Sequence, residues 1–157
     1  MRAMSLLESD QTPSTFWITN GDNVFEDNVA AGGDGFGFWV NLPRHPGGFL
    51  SFTGATFRDD IFPRHAPLGS FTRNTAHGYR IGFLAHDLDP KVFNSRQVNR
   101  KRDGWSGKLF KQVVETPGLR RTAVFSHLLA FSNAEAGAVF ADMGHFQVRD
   151  FVAAPGA

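Results

Sequence analysis

Residues 25–39 read Phe25-Glu-Asp-Asn28-Val-Ala-Ala31, then a glycine-rich bend, then Gly37-Phe38-Trp39. The pattern returns at Phe71-Thr-Arg-Asn74-Thr-Ala-His77 with Gly82-Phe83-Leu84. It returns again at Phe125-Ser-His-Leu128-Leu-Ala-Phe131 with Gly137-Ala138-Val139. Each copy opens on a ring, has Ala five residues later and has Gly 11 or 12 residues after the ring. A weaker fourth copy starts near Phe146 in FQVRDFVAA. A unit of this kind reads as two very short strands, a bend and a third strand. Asn28 and Asn74 fall between the first two strands, where a sharp corner asks for a residue that tolerates the left-handed conformation. Gly37, Gly82 and Gly137 open the next strand, a place for close backbone approach.

One such unit cannot bury its own apolar face. Stacked units can, with each strand pairing to its equivalent one coil on, ~4.8 Å away. The sequence therefore predicts an all-β fold, a right-handed parallel β-helix of about four coils. Phe25, Phe71 and Phe125 form one inward stack, Ala30, Ala76 and Ala130 a tight second one, and Phe38, Phe83 and Ala138 a third. Phe16-Trp-Ile-Thr-Asn20 supplies the opening strand, with counterparts at 38–40, 83–85 and 138–140.

Length and composition agree with one domain over residues 1–157. Its core coils are expected at 14–40, 68–85 and 123–153. Residues 41–67 and 86–122 are long insertions that leave from the same corner, and on a repeat scaffold such insertions gather on one side. Within the second, residues 105–115 have fair spacing for a short amphipathic helix. The chain is 41% hydrophobic, with 17 Phe against one Tyr and 17 Gly. Large rings between many bends suit short strands. No Cys is present, which excludes disulfides, thiol catalysis and Cys-ligated zinc. No run reaches the ~18 apolar residues of a membrane span. The N-terminal stretch lacks the apolar core of a secretory signal.

Whole-chain net charge is +1, which names no partner, and no nucleic-acid partner is expected. Locally the charge is uneven. Residues 1–40 carry one basic and six acidic groups, a net −5; residues 86–121 carry nine basic and four acidic groups, a net +5. A cationic insertion that includes Arg100, Lys101 and Arg102, set beside a groove, would raise the local concentration of a polyanion. A solubilising role for these charges is the plainer alternative.

The stretch STFWITNGDNVFEDNVAAGGDGFGFWV resembles the β-helix region of the G8-domain-associated family. That family comprises the cell-migration-inducing hyaluronan-binding protein, the transmembrane cell-surface hyaluronidase and the fibrocystin-like proteins. The matching residues are Phe16-Trp17-Ile18, Asn20, Asp22-Asn23, Ala30-Ala31-Gly32, Gly37-Phe38-Trp39, Pro67-Leu68-Gly69, Phe71, Asn74 and Ala76-His77. A weaker match continues at His127 and Ala130. The resemblance covers about residues 14–150, with the insertions matching poorly. It implies an extracellular or cell-surface setting and an acidic polysaccharide such as hyaluronan as partner. If the chain is catalytic, it implies a hyaluronidase-like or other polysaccharide-degrading enzyme, but it transfers no catalytic residue. Gly21 stands where the family has Pro, and no G8 domain is present in the sequence.

Asp27, Arg73 and His127 share one repeat position and so form an outward column. A carboxylate, a guanidinium and an imidazole in a row would bind a sugar carboxylate, with His127 placed to act as a general base. A polar corner ladder in which Asp27 and Arg73 pair for stability is the competing reading. His77, in the column of Ala31 and Phe131, is either packed or sits at the corner beside Arg80 facing a cleft. Trp17, Trp39 and Trp105 are the candidate sugar-stacking rings. His86, Asp87 and Asp89 are the residues a Ca²⁺ ion would use; the looser groups Asp59, Asp60 and His65, and Asp142 and His145, offer less. A lyase of the pectate type would need an acidic calcium cluster that the sequence does not display. The competing functional class is a non-catalytic structural or interaction module. The open ends of a four-coil stack need a cover, because residues 1–13 offer only Met4, Leu6 and Leu7 and AAPGA falls mid-coil. Self-association or flanking domains would supply it.

Overall fold

The structure is a computed structural model that describes residues 13–42, 63, 66–86, 122–141, 143 and 145–155. Twelve short strands among the described residues wind into four coils. The first coil is β1 (Ser14–Ile18), β2 (Val24–Glu26) and β3 (Val29–Ala31). The second is β4 (Phe36–Val40), β5 (Ser70–Thr72) and β6 (Thr75–His77). The third is β7 (Ile81–Ala85), β8 (Ala123–Ser126) and β9 (Leu129–Asn133), and the fourth is β10 (Ala136–Phe140), β11 (Phe146–Arg149) and β12 (Val152–Pro155). Equivalent strands pair in parallel into three four-stranded sheets, β1-β4-β7-β10, β2-β5-β8-β11 and β3-β6-β9-β12. This is a parallel β-helix. Both long connections, β4 to β5 and β7 to β8, join the first sheet to the second, so they share a corner.

The register follows the repeat. Phe25 pairs with Phe71 and Phe71 with Phe125; Ala30 pairs with Ala76 and Ala76 with Ala130; Phe38 pairs with Phe83 and Phe83 with Ala138. Phe16 extends the last column by pairing with Phe38, and the two rings stack 4.6 Å apart. Rings of the first and second sheets alternate up the axis, edge to face. Phe38 meets Phe71 at 5.4 Å, Phe71 meets Phe83 at 5.2 Å, and Phe83 meets Phe125 at 5.4 Å. Opposite them the alanine column is fully buried, and the glycines lie against it. A Cβ on Gly37 would come within 2.5 Å of the Gly82 carbonyl oxygen and 3.0 Å of the Ala76 Cβ. Large rings on one side thus demand small residues on the other, and the repeat supplies both.

The turn chemistry differs from the sequence expectation at one position. The left-handed corner residue is not Asn28 or Asn74 but the residue before it: Asp27, Arg73, His127 and Asp150 have φ of 55°, 54°, 52° and 51°. A second left-handed corner lies at the end of the third sheet, at Gly32 and Gly78 just after β3 and β6 and at Ser132 near the end of β9 (φ 72°, 73° and 52°). The asparagines are used inside. Asn74 is buried; its Oδ1 accepts from the Asn28 backbone N–H at 3.0 Å and from Asn28 Nδ2 at 3.1 Å, and its Nδ2 donates to the Phe25 carbonyl at 2.8 Å. These bonds satisfy backbone groups that the turn takes out of the ladder. The third coil replaces the amide with buried Leu128, so the polar ladder stops after two rungs. The fourth copy is also phased differently. Val148, not Phe146, lies in register with Phe125, and Asp150 follows as its corner residue.

The expected helix at 105–115 and the interiors of both insertions lie outside the described residues, as do Asp59, Asp60, His65, Asp87, Asp89 and Asp142.

Candidate functional site

On the outer face of the second sheet one register column is polar on every coil, while the other mixes Ser70 and Gln147 with Val124 and the exposed Val24. The polar column runs Glu26, Thr72, Ser126, Arg149. Strands alternate inward and outward residues, so the polar residue after each inward ring or Val148 faces water. Adjoining hydroxyls bridge the coils: Ser126 Oγ donates to Thr72 Oγ1 at 3.0 Å, and Ser70 Oγ donates to Glu26 Oε1 at 2.6 Å.

Along one edge of this face stands the corner column Asp27, Arg73, His127, Asp150. All four are exposed and sit at the left-handed corner of their coil. Arg73 grips Asp27 with two bonds of 2.8 Å, from Nε to Oδ1 and from Nη2 to Oδ2, and reaches Glu26 Oε2 at 3.3 Å. The Arg73 hydrogen bonds hold the Asp27 carboxyl below its ordinary range, and the same contact raises the Arg73 guanidinium. The next step of the column is a second pair. His127 Nε2 lies 3.5 Å from Asp150 Oδ2, an ion pair when the imidazole is protonated, and its Nδ1 lies 3.4 Å from Thr72 Oγ1. The three column residues named from sequence are therefore brought together, but two by two. Each charge already has a counter-charge from a neighbouring coil.

Along the opposite edge, the two long connections leave the first sheet and return to the second. Arg100, Lys101, Arg102 and Trp105 belong to the second of these and lie outside the described residues.

The other named residues are elsewhere. Trp17 and Trp39 are register partners on the outer face of the first sheet, with rings stacked 5.5 Å apart. Trp39 is 3% exposed and belongs to a second apolar cluster with Phe36, Ile81 and Leu84, which leaves Trp17, 53% exposed, as the accessible ring. His77 is on the outer face of the third sheet, half-buried, its ring 4.8 Å from Phe131 and nearly parallel to it. Arg80 lies at the corner between the third and first sheets, on an open groove of about 600 Å³ shared with Asp34, Tyr79 and Asn133. There the Arg80 guanidinium sits 5.2 Å from the Phe36 ring centre and 3.5 Å from Glu135 Oε2. The groove wall is fixed from within: buried Asn133 accepts from the Tyr79 backbone N–H and donates to the Ala76 carbonyl, and the Tyr79 hydroxyl meets Thr15 Oγ1. His86 is buried, and among the described residues no group of three or more His, Asp or Glu side chains is arranged to hold a metal ion.

Sequence reasoning missed Glu26, Thr72 and Ser126, although a polar residue follows the ring in every full copy. It missed Asp150 because the fourth copy was phased from Phe146.

A family model described as CEMIP beta-helix matches residues 2–83. Mouse fibrocystin-L is 42% identical over 76 residues, which is 48% of this chain and 2% of that protein. Human fibrocystin-L is 29% identical over 158 aligned positions, 96% of this chain and 3% of that protein. The human cell migration-inducing and hyaluronan-binding protein is 28% identical over 131 residues, 80% of this chain and 9% of that protein. The chain thus spans a small fraction of the length of each of these relatives. No solved structure matches. The family match spans more than half of the chain, and the chain belongs to the CEMIP β-helix family.

Proposed function

We propose that this β-helix binds an acidic polysaccharide of the hyaluronan type, across the outer face of its second sheet. The observation that carries the reading is the composition of that face. One column of hydroxyl and charged groups, Glu26, Thr72, Ser126 and Arg149, spans four coils with Ser70 and Gln147 beside it, and the connection of net charge +5 leaves from the sheet's edge. A sugar chain presents rows of hydroxyls that such a ladder can match. Its carboxylates need cations, which Arg149 on the face and Arg100, Lys101 and Arg102 in the insertion provide. The relative named as hyaluronan-binding supports the same class of ligand. An extracellular or cell-surface setting belongs to this proposal.

Binding is favoured over cleavage because the corner column is internally paired. Asp27 is held by Arg73 through two hydrogen bonds, and among the described residues no second carboxylate stands across from it as a free acid-base partner. The same pairing favours a second reading, a structural β-helix module without a ligand, in which these pairs only stitch coil to coil.

Isothermal titration with hyaluronan oligosaccharides at two ionic strengths separates the two readings. Binding is expected at low salt and should weaken as salt rises. The triple variant Arg100→Ala, Lys101→Ala, Arg102→Ala should lose about tenfold in affinity or more, the equivalent of about 1.4 kcal/mol. Absence of binding to hyaluronan and to other uronate polymers at low salt would leave the structural reading.

A further inference from the structure

The charges on the outer face of the second sheet are not spread evenly along the helix axis. On the first two coils Glu26 and Asp27 stand against Arg73, two carboxylates to one guanidinium, and exposed Asp22 adds another carboxylate in the turn before β2. The connection from β4 to β5 offsets little of this, since residues 41–67 hold three basic and two acidic groups, a net +1. The last two coils differ. The connection of net charge +5 returns to β8 of the third coil, and β11 of the fourth coil lies beside β8 with Arg149 at its end. Arg149 is exposed, and among the described residues no carboxylate lies within ion-pair distance of its guanidinium, whereas Arg73 and Arg80 each have one. Instead its Nη2 donates to Gln147 Oε1 at 2.7 Å. The two residues are two apart on one strand and so share its outward face. Their bond uses the acceptor of the Gln147 amide and leaves the Nε2 donor. The groups still open on the pair are then donors: guanidinium N–H and amide N–H. The partner such a pair calls for is a group that only accepts, an ionised carboxylate.

We propose that Arg149 and Gln147 form a carboxylate subsite on the fourth coil, and that the acidic polysaccharide crosses the second sheet along the strands of the third and fourth coils rather than up the helix axis. This inference rests on the polysaccharide reading above and gives it a place and a direction. A sugar chain laid up the axis would bring successive uronates to Glu26 and Asp27, where like charges repel. A chain laid along β8 and β11 meets the cationic connection at the edge where β8 begins, then Gln147, then Arg149 at the far end of β11. Asp150 follows Arg149 in sequence, but it sits at the corner and faces His127. Next to Arg149 in the polar column, Ser126 Oγ gives its proton to Thr72 Oγ1, so its own oxygen keeps lone pairs for a sugar hydroxyl. The subsite thus pairs a donor group for the carboxylate with an acceptor for the hydroxyls beside it.

Isothermal titration of the full chain at about 0.1 M salt tests this, with hyaluronan oligosaccharides and with the same oligosaccharides after reduction of their carboxylates to alcohols. Arg149→Ala should lose about fivefold or more in affinity for the acidic oligosaccharide, the scale of one charge-assisted contact, and should bind the reduced one as the parent does. Gln147→Glu, which gives Arg149 the carboxylate it lacks, should lose at least as much. Glu26→Gln should change affinity by less than about twofold, because three coil steps of ~4.8 Å put it beyond the ~10 Å screening length from Arg149. All three residues are exposed, so the variants should keep the parent circular dichroism spectrum. Parent-like binding by Arg149→Ala or Gln147→Glu would overturn the subsite and leave the polysaccharide reading standing. So would an Arg149→Ala loss that is equal for both oligosaccharides. A gain of about twofold or more in Glu26→Gln would place the sugar chain up the axis and overturn the crossing. A parent chain that binds neither oligosaccharide would remove the polysaccharide reading itself, and the subsite with it.

Discussion

Phe83→Ala is expected to lower the stability of the fold by about 3–5 kcal/mol, a large share of the roughly 5–15 kcal/mol available to a domain. Phe83 is fully buried at the centre of the third coil. Its ring lies 5.2 Å from Phe71, 5.4 Å from Phe125, 5.0 Å from Phe140 and 6.1 Å from Phe151. Removal leaves a cavity bounded on three coils by other rings. Those rings are anchored on strands whose spacing is fixed by the parallel ladder, so the cavity cannot collapse without breaking register. Urea unfolding monitored by circular dichroism measures the loss. A change below about 1 kcal/mol would mean that Phe83 is not enclosed between coils.

Gly82→Val acts on the other side of the same coil and is expected to cost about 3 kcal/mol or more, at the upper end of overpacking effects. The reason is space rather than backbone conformation. A Cβ on Gly82 would lie 2.7 Å from the Gly137 carbonyl oxygen, 2.8 Å from Asn133 Nδ2 and 3.3 Å from the Ala130 Cβ. The first of these is backbone of the next coil. The second belongs to the buried amide that holds the Tyr79 and Ala76 backbone. Neither can yield without separating two rungs. The expected result is a lowered urea midpoint, or failure to fold. A midpoint equal to that of the parent chain would show that the first sheet is not pressed against the alanine column.

The columns were legible in the sequence because side-chain size is conserved in register by packing alone. Ring over ring and alanine over alanine recur wherever coils stack, and three copies of one spelling suffice to set the pairing. The corner was legible only in part. Asn28 and Asn74 look like left-handed corner residues, and asparagine does favour that conformation. Inside a stack, however, an asparagine that can bond both to its neighbour and to a carbonyl one coil away gains more by turning inward. The left-handed conformation then falls on Asp27, which tolerates it nearly as well as asparagine, and on Arg73, whose chemistry gives no hint of it. The fourth copy was misphased because Phe146 and Phe151 both look like the opening ring, whereas the register gives that place to Val148. The site was legible as a column and as one of its two pairs. Repeat position brings Asp27, Arg73 and His127 into line and already offered the Asp27–Arg73 pair, but only geometry reveals that His127 turns to Asp150. The likeness of Trp17 and Trp39 in sequence concealed a difference in exposure, since burial of Trp39 within the outer cluster of Phe36, Ile81 and Leu84 is a long-range property.

The stacking of coils in register is tested most directly by disulfide trapping, for which the absence of native cysteine is an advantage. Thr75 and Leu129 are in-register partners on the outer faces of β6 and β9, on successive coils. Adjacent strands lie ~4.8 Å apart, within the Cα separations a disulfide accepts. Under mild oxidation, Thr75→Cys with Leu129→Cys should form an intramolecular bridge in the folded chain, and Thr75→Cys with Val124→Cys should not. Bridging only of the mismatched pair, or of neither pair in chains that remain folded, would contradict the β-helix register.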